Sequence, residues 1–365
     1  MINRIVFAAG GTGGHIYPAI AVADELKKMN SEVKIKFIGA KGRIEERIVP
    51  KCGYELNTIE IRGFKRSLSF KNIGSALKLF KALNESKKIL KSFKPELVFG
   101  TGGYVSGPVL RTAAKMGIMN VVQEGNFFPG VTVKLLSSTA NKVIVNFDGT
   151  KKYLKRQDNI EVMSYPVRQN LKRLPKDEAL KVYGLIEKRR TLFVFGGSQG
   201  ANSINTALLK CMKNLLRSDI QIIWQTGNTD FESISKAVGS NPYVKVFRYI
   251  DNIDSAYSAC DLVVCRAGIS TIMELASFGS AAVFVPYPLA AENHQEKNAR
   301  AMVEKNAAKL ILDAELEEKL EAVICMFIHD EKALEQIGSN IKQFSDSNAA
   351  SKIVQMLLRM VNKNN

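Results

Sequence analysis

Apolar residues along this chain gather in short runs, separated by longer stretches with helical spacing. Runs rich in Val, Ile and Phe fall at 5–9, 34–38, 97–100, 120–123 and 142–145. Between them, apolar positions recur every three or four residues at 19–29, 73–91, 108–115 and 131–138. Short, mostly apolar runs are what a strand buried on both faces requires, and a 3.6-residue period marks a helix packed on a sheet. The same style returns later, with runs at 192–195, 221–224, 262–265, 281–285 and 308–312 and helical stretches such as 203–216 and 293–304. Alternating strands and helices predict parallel sheets with crossover helices. The pattern breaks at Tyr165-Pro166-Val167-Arg168. This places a first α/β domain at 1–163 and a second at 164–345. The last helices, about 331–361, are expected to pack back across the join, with 346–365 as the closing segment.

Two of the strands run directly into glycine turns. Gly10-Gly11-Thr12-Gly13-Gly14-His15 follows the first run, and Gly196-Gly197-Ser198-Gln199-Gly200 follows the run at 192–195. Glycine lets backbone approach a ligand closely, and N–H groups at a helix start attract anions. One such turn says little; two, a domain length apart, predict two similar domains facing a shared ligand. The competing reading is a pair of tight turns that only pack helix on strand. Neither turn is a dinucleotide fingerprint, because Ile16 stands where GxGxxG needs its third glycine, and neither is a GxxxxGK[ST] loop. A nicotinamide-dependent oxidoreductase is thereby disfavoured. Open parallel sheets bind ligands beyond the carboxyl ends of their strands. Four further segments stand at such ends: Gly100-Thr101-Gly102-Gly103-Tyr104-Val105-Ser106-Gly107-Pro108, Gln123-Glu124-Gly125-Asn126, Arg266-Ala267-Gly268-Ile269-Ser270-Thr271, and Pro286-Tyr287-Pro288 with 292–298. If the two sheets face each other, all of these line one cleft.

Composition narrows the partners. The 365 residues are 46% hydrophobic, enough for two cores, and only 362–365 read as disordered. No apolar stretch approaches the ~20 residues that span a bilayer. Met1-Ile2-Asn3-Arg4 leads straight into a strand, without a signal peptide, so a cytosolic location is expected. Cys52, Cys211, Cys260, Cys265 and Cys325 form no CxxC pair, which fits a reducing compartment and argues against structural zinc. The net charge of +17 calls for an anionic partner: nucleic acid, an anionic membrane surface or a phosphorylated substrate. Much of it lies in one stretch, where Lys65, Arg66, Lys71, Lys78, Lys81, Lys87, Lys88, Lys91 and Lys94 face Glu85 as the lone acid. Leu68, Phe70, Ile73, Leu77, Phe80, Leu83, Ile89, Leu90 and Phe93 are interleaved with them. A basic amphipathic helix reads as membrane-surface binding; the alternative is an ordinary surface helix with solvated lysines. Nucleic-acid binding leaves the paired glycine loops unexplained, and no RNA-binding aromatic signature is present.

Gly10–His15 with Pro18, the segment 102–108, the segment 196–201, and Arg266-Ala267-Gly268 followed by Glu274 together resemble the GT-B glycosyltransferases. Those enzymes are built from two Rossmann-like doubly wound parallel-sheet domains facing a central cleft. Within them the set is similar to the family of UDP-N-acetylglucosamine:lipid I N-acetylglucosaminyltransferases. The motifs keep the family's order from the first loop to Asn298-Ala299. There are two departures. Gln123-Glu124-Gly125-Asn126 stands where the family usually reads His-Glu-Gln-Asn, and Tyr165-Pro166-Val167-Arg168 where it usually reads Asn-Pro-Val-Arg. The resemblance implies an inverting single displacement. N-acetylglucosamine moves from UDP-GlcNAc to the C4 hydroxyl of MurNAc in lipid I, giving lipid II for peptidoglycan. The implied place is the cytoplasmic face of the bacterial cell membrane, peripherally, through Lys65–Lys94. No cofactor is required. A divalent cation is allowed for, but there is no Asp-x-Asp site, and helix N-termini and backbone amides can meet the diphosphate instead. A related enzyme on a soluble UDP-sugar, such as an epimerase, is the alternative.

His15 is the catalytic candidate, one of three histidines with His294 and His329. It follows a glycine turn at a helix start, where the dipole disfavours imidazolium and keeps the ring neutral, as a base requires. The competing reading is a loop histidine that bonds only backbone. Ser198 is assigned to the UDP phosphates, or is a plain N-cap. Glu274 matches the acid that holds the ribose hydroxyls, yet Thr271 and Glu274 equally fit a capping box with Thr271 at N-cap. The resemblance further implies Gln295 on the sugar hydroxyls, Asn126 and Arg168 near the sugar and uracil, and a backbone contact from Ile250 to uracil. It adds Ile269, Ser270 and Thr271 to the donor set, together with Thr12, Gly13 and Gly14, which should also face the acceptor pyrophosphate. Gly103 and Tyr104 fall on the acceptor side.

Overall fold

The computed structural model describes residues 1–61, 71–168, 170–197 and 199–362, with side chains of the helix at 71–93 described from residue 78. Two compact units emerge: Met1–Gln169 with Asp346–Asn365, and Asn170–Ser345. In the first unit the strands are β1 (Arg4–Ala8), β2 (Lys34–Ala40), β3 (Glu55–Ile59), β4 (Leu97–Gly100), β5 (Met119–Glu124), β6 (Lys142–Val145) and β7 (Ile160–Val162). They form one sheet in the order β3-β2-β1-β4-β5-β6-β7. The second unit holds β8 (Arg190–Phe195), β9 (Ile220–Gln225), β10 (Val244–Phe247), β11 (Leu262–Cys265), β12 (Ala282–Phe284) and β13 (Lys309–Leu310), in the order β10-β9-β8-β11-β12-β13. Every neighbouring pair is parallel. In each sheet the first strand is central and the chain winds outward on one side, then on the other. That order reverses between β1 and β4, and again between β8 and β11. These are the switch points at which such sheets bind ligands.

Burial on both faces explains the unbroken apolar runs. Alternate residues of a strand point to opposite faces. Phe7, Phe37 and Phe99 pack on one face against Ile16, Ala19 and Leu26 of the helix Gly13–Met29 and against Ile353 and Leu357 of the helix Ala349–Asn362. Val6, Ile38, Val98 and Val122 pack on the other against Val105 and Val109 of the helix Gly103–Lys115. In the second unit Leu192, Val194, Ile222, Trp224 and Val264 meet Ile204, Leu208 and Leu215 of the helix Asn202–Arg217. The closing helix thus belongs to the core of the first unit. That unit also extends to Gln169 rather than ending at 163, because Tyr165 is hydrogen-bonded to Gly14. Strands β3, β7 and β10 carry no apolar run in the sequence; they are three of the four edge strands and are only half covered.

Candidate active site

At the β1/β4 switch point the helix Gly13–Met29 starts with Thr12 as its N-cap. Thr12 is exposed and its hydroxyl makes no capping bond. First-turn N–H groups of a helix have no intrahelical acceptor and carry the positive end of its dipole. His15 is in this first turn. Its Nδ1 lies 2.6 Å from the carbonyl oxygen of Thr101. A carbonyl only accepts, so Nδ1 carries the hydrogen and Nε2 carries the lone pair. Thr101 closes the pair by donating its hydroxyl to the His15 carbonyl at 2.6 Å. Beneath the ring run Gly102 and Gly103, at φ 83° and 70°. A Cβ on Gly103 would sit 3.0 Å from His15 Cδ2 and 3.2 Å from Nε2, so glycine is required there for both conformation and room.

The rest of the loop is fastened from below. Pro18 lies inside the helix and has no N–H for the Gly14 carbonyl four residues back. The hydroxyl of buried Tyr165 donates to that carbonyl instead, at 2.7 Å. Glu45 is fully buried and accepts the N–H groups of Ala40 at 2.8 Å and Gly11 at 3.2 Å. A side chain at Gly10 would collide with that carboxylate, and one at Gly39 with the Glu45 Cγ. Tyr104 packs its ring beside Gly11, and burial raises its phenol pKa. At the end of β5, Glu124 accepts the backbone N–H of Asn126 (2.9 Å), the Asn126 side-chain amide (3.0 Å) and the N–H of Gly130 (2.9 Å). Burial pushes the Glu124 carboxyl above its usual range, against the pull of those bonds. The Arg168 guanidinium lies over the Tyr17 ring, 4.8 Å from its centroid.

The second unit repeats the arrangement at the β8/β11 switch point. Gly197 and Gly200 take φ 89° and 81°, and Gly200 rests so closely on the Thr226 carbonyl that no side chain fits. Arg266, after β11, donates to Ser203 Oγ (2.9 Å) and to the carbonyls of Val285 (3.2 Å) and Pro286 (3.0 Å), and pairs with Asp313. One guanidinium therefore ties the loops after β11 and β12 to the start of the helix Asn202–Arg217. The helix Ile269–Phe278 begins at Gly268 as N-cap, so Ile269, Ser270 and Thr271 form its first turn. Glu274, 6% exposed, accepts the Tyr257 hydroxyl at 3.1 Å. Gln295 accepts the Tyr287 N–H through Oε1 at 3.0 Å. The loop reaching it holds Glu292 and Asn293 at φ 57° and 51°, where non-glycine residues are uncommon. Ile250 is buried, and its N–H donates to Gln225 Oε1 at 2.8 Å.

Thr12, Gly13, Gly14, His15, Gly103, Tyr104, Asn126 and Arg168 therefore belong to the first unit, although Arg168 was expected in the second. Ile250, Ile269, Ser270, Thr271, Glu274 and Gln295 belong to the second. Ser198 lies outside the described residues, as do 62–70 and the side chains of 71–77 in the basic stretch. The capping-box reading of Thr271 and Glu274 is corrected: Thr271 is the third residue of its helix, and Gly268 holds the N-cap. Sequence reasoning gave no role to Glu45, Thr101, Gln225, Arg266 or Asp313. Glu45 is marked only indirectly, by the glycines at 10 and 39 that make room for it. Among the described residues no three His, Cys, Asp or Glu side chains converge to hold a metal ion.

Comparison with known proteins agrees with this geometry. The model of the glycosyltransferase family 28 N-terminal domain matches residues 5–145, and that of the glycosyltransferase family 28 C-terminal domain matches 191–353. The UDP-N-acetylglucosamine–N-acetylmuramyl-(pentapeptide) pyrophosphoryl-undecaprenol N-acetylglucosamine transferase of Christiangramia forsetii is 38% identical over 361 residues, 98% of either chain. Among solved structures, MurG of Acinetobacter baumannii superposes with a TM-score of 0.79 at 27% identity, over 98% of this chain and 99% of that one. The UDP-GlcNAc 2-epimerase of Neisseria meningitidis superposes with a TM-score of 0.68 at 14% identity, over 98% of this chain and 100% of that one, a likeness of fold alone.

Proposed function

This chain belongs to glycosyltransferase family 28, and from that premise we propose the reaction it performs. It is an inverting N-acetylglucosaminyltransferase that moves the sugar of UDP-GlcNAc to the C4 hydroxyl of MurNAc in lipid I. The product is lipid II, so the enzyme serves peptidoglycan synthesis and with it cell shape and division. The full-length match to a transferase of that name supports these substrates, whereas the epimerase likeness is confined to the fold.

The observation that carries the mechanism is the contact of His15 Nδ1 with the Thr101 carbonyl, which puts the lone pair of the neutral ring on Nε2. Nε2 takes the proton of the acceptor hydroxyl as its oxygen attacks the anomeric carbon. The bond from that carbon to UDP breaks, and its electron pair leaves with the diphosphate. Backbone N–H groups meet the growing charge, from the Gly196–Gly200 turn with Ser198 and from Ile269, Ser270 and Thr271 at their helix start. Glu274 accepts the ribose hydroxyls. Gln295, with its oxygen occupied, donates from Nε2 to a sugar hydroxyl. Asn126 and Arg168 serve the sugar and uracil side. Thr12, Gly13 and Gly14 receive the acceptor pyrophosphate, with Gly103 and Tyr104 beside it. Among the described residues no helix is long and apolar enough to cross a membrane. The basic stretch Lys65–Lys94 holds the enzyme peripherally on the anionic cytoplasmic face, where the acceptor pyrophosphate lies.

The test is transfer from radiolabelled UDP-GlcNAc to a short-chain lipid I analogue, with UDP-glucose as control. Product is expected from the N-acetyl donor alone. UDP release without acceptor points to an epimerase or hydrolase instead. His15→Ala is expected to lower kcat by about 10²–10⁴, the usual contribution of a general base. A folded variant with near-normal turnover removes His15 from this role.

A further inference from the structure

Strand β9 lies between β8 and β10, and at its end Gln225 is paired with Phe195 on one side and Phe247 on the other. Each neighbouring strand continues into a loop that the donor reading uses. The glycine turn Gly196–Gly200 follows β8, and Arg248-Tyr249-Ile250 follows β10. The Gln225 side chain is 2% exposed and reaches both loops. Its Nε2 donates to the Gly197 carbonyl at 3.1 Å, and its Oε1 accepts the Ile250 N–H at 2.8 Å. The partners fix which end is which, since a carbonyl can only accept and a backbone N–H can only donate.

We propose that Gln225 is a positioning residue for the nucleotide, its one amide setting the spacing between the loop that meets the phosphates and the loop that meets the base. The inference rests on the transferase reading above. A primary amide of this length supplies a donor at one end and an acceptor at the other at any pH, which an aliphatic side chain or an ionised carboxylate does not. With the Gly197 oxygen held inward, the turn offers N–H groups rather than a carbonyl dipole to an anion. With the Ile250 N–H occupied, a base at this position meets the Ile250 carbonyl. That group accepts from N3–H of uracil but finds no hydrogen on N3 of cytosine. The surrounding backbone has other supports. Gly200 and Gly227 interlock with the carbonyls of Thr226 and Gln199, and the Thr226 N–H donates to the Phe247 carbonyl at 2.9 Å. The amide therefore tunes loops that other contacts already hold in place.

The experiment uses the full chain with Gln225→Met, which keeps the volume and removes both polar ends, and Gln225→Glu, which keeps only the acceptor. The readouts are the KM for UDP-GlcNAc, the KM for the lipid I analogue, kcat, and competition by UDP and CDP. For Gln225→Met the donor KM is expected to rise about tenfold, with kcat within about twofold and the acceptor KM unchanged, as the loss of two net hydrogen bonds implies. UDP should also lose much of its advantage over CDP as a competitor. Gln225→Glu should raise the donor KM further at a pH where its carboxyl is ionised, because the charge then faces the Gly197 carbonyl and lies under the diphosphate, and should return KM towards the wild-type value at lower pH, where the protonated carboxyl donates to Gly197 as the amide does. KM does not depend on the fraction of enzyme that is folded, so partial misfolding lowers kcat without imitating the effect. Should the Met variant yield no folded enzyme, the Glu variant decides. An unchanged donor KM with an unchanged UDP-to-CDP ratio overturns the inference. Failure of the wild-type enzyme to transfer overturns the transferase reading instead.

Discussion

Tyr165 shows how one residue completes another's defect. Pro18 removes the donor that the Gly14 carbonyl would have had inside the helix, and the Tyr165 hydroxyl, 151 residues away, replaces it. The two residues should therefore be energetically coupled. Tyr165→Phe is expected to cost about 1 kcal/mol, because it leaves a half-buried carbonyl without its partner. In a Pro18→Ala background the N–H at position 18 returns, and the same change should cost about 1 kcal/mol less. Urea unfolding of the two single variants and the double variant measures this; strictly additive losses would falsify the coupling. The sequence marks Tyr165 as a departure from the family's usual Asn but does not reveal its role, since the partner is brought near only by the fold. The other departure, Gln123, is buried with neither end of its amide hydrogen-bonded, and nothing in the structure accounts for it.

The helix Ile269–Phe278 brings three donor candidates to its first turn, and its start decides between a cap and a ligand contact. Gly268, not Thr271, is the N-cap. Thr271→Ala should then cost under about 0.5 kcal/mol, where loss of a true Thr cap costs about 1. Glu274→Gln should raise the KM for UDP-GlcNAc with little change in Tm. Thermal melts and donor kinetics on both variants test this, and a large fall in Tm with an unmoved KM would return Glu274 to a structural role. Elements buried on two faces, such as β1, β4, β8 and β11, were legible because burial demands an unbroken apolar run. Three of the four edge strands, β3, β7 and β10, were not, since half-covered strands tolerate residues such as Glu55, Asn57 and Lys245; the fourth, β13, lies within the apolar run at 308–312. The glycine turns announced the two switch points of the sheets. Glu45 did not, because Glu45-Glu46-Arg47 reads as a solvated helix start until Gly10 and Gly39 make room for it beneath the first turn.

At the scale of the molecule, the net charge of +17 and the lipid carrier of the proposed acceptor call for the same surface. The described end of the helix Lys71–Phe93 turns Ala82 and Leu90 into the core. Phe80 is 66% exposed, and Lys87, Lys88 and Lys91 are exposed too. These four positions step by seven, eight and eleven residues and so share one helical stripe. A lone outward phenylalanine is unremarkable, but one aligned with three lysines suits an anionic headgroup layer, the lysines reaching phosphates and the ring the acyl boundary. Each lysine near such a surface contributes about 1 kcal/mol. Replacing Lys87, Lys88 and Lys91 together by Gln should then weaken binding to phosphatidylglycerol-containing vesicles on the order of a hundredfold at low salt. Phe80→Ser should weaken it independently of salt, because its contribution is apolar. Vesicle sedimentation over a salt series measures both, with neutral vesicles as control. The substitutions should leave transfer to a detergent-soluble, short-chain acceptor unchanged while slowing transfer to acceptor embedded in anionic vesicles. Equal activity on both acceptors in the triple variant would mean that the lysines only solvate an ordinary surface helix.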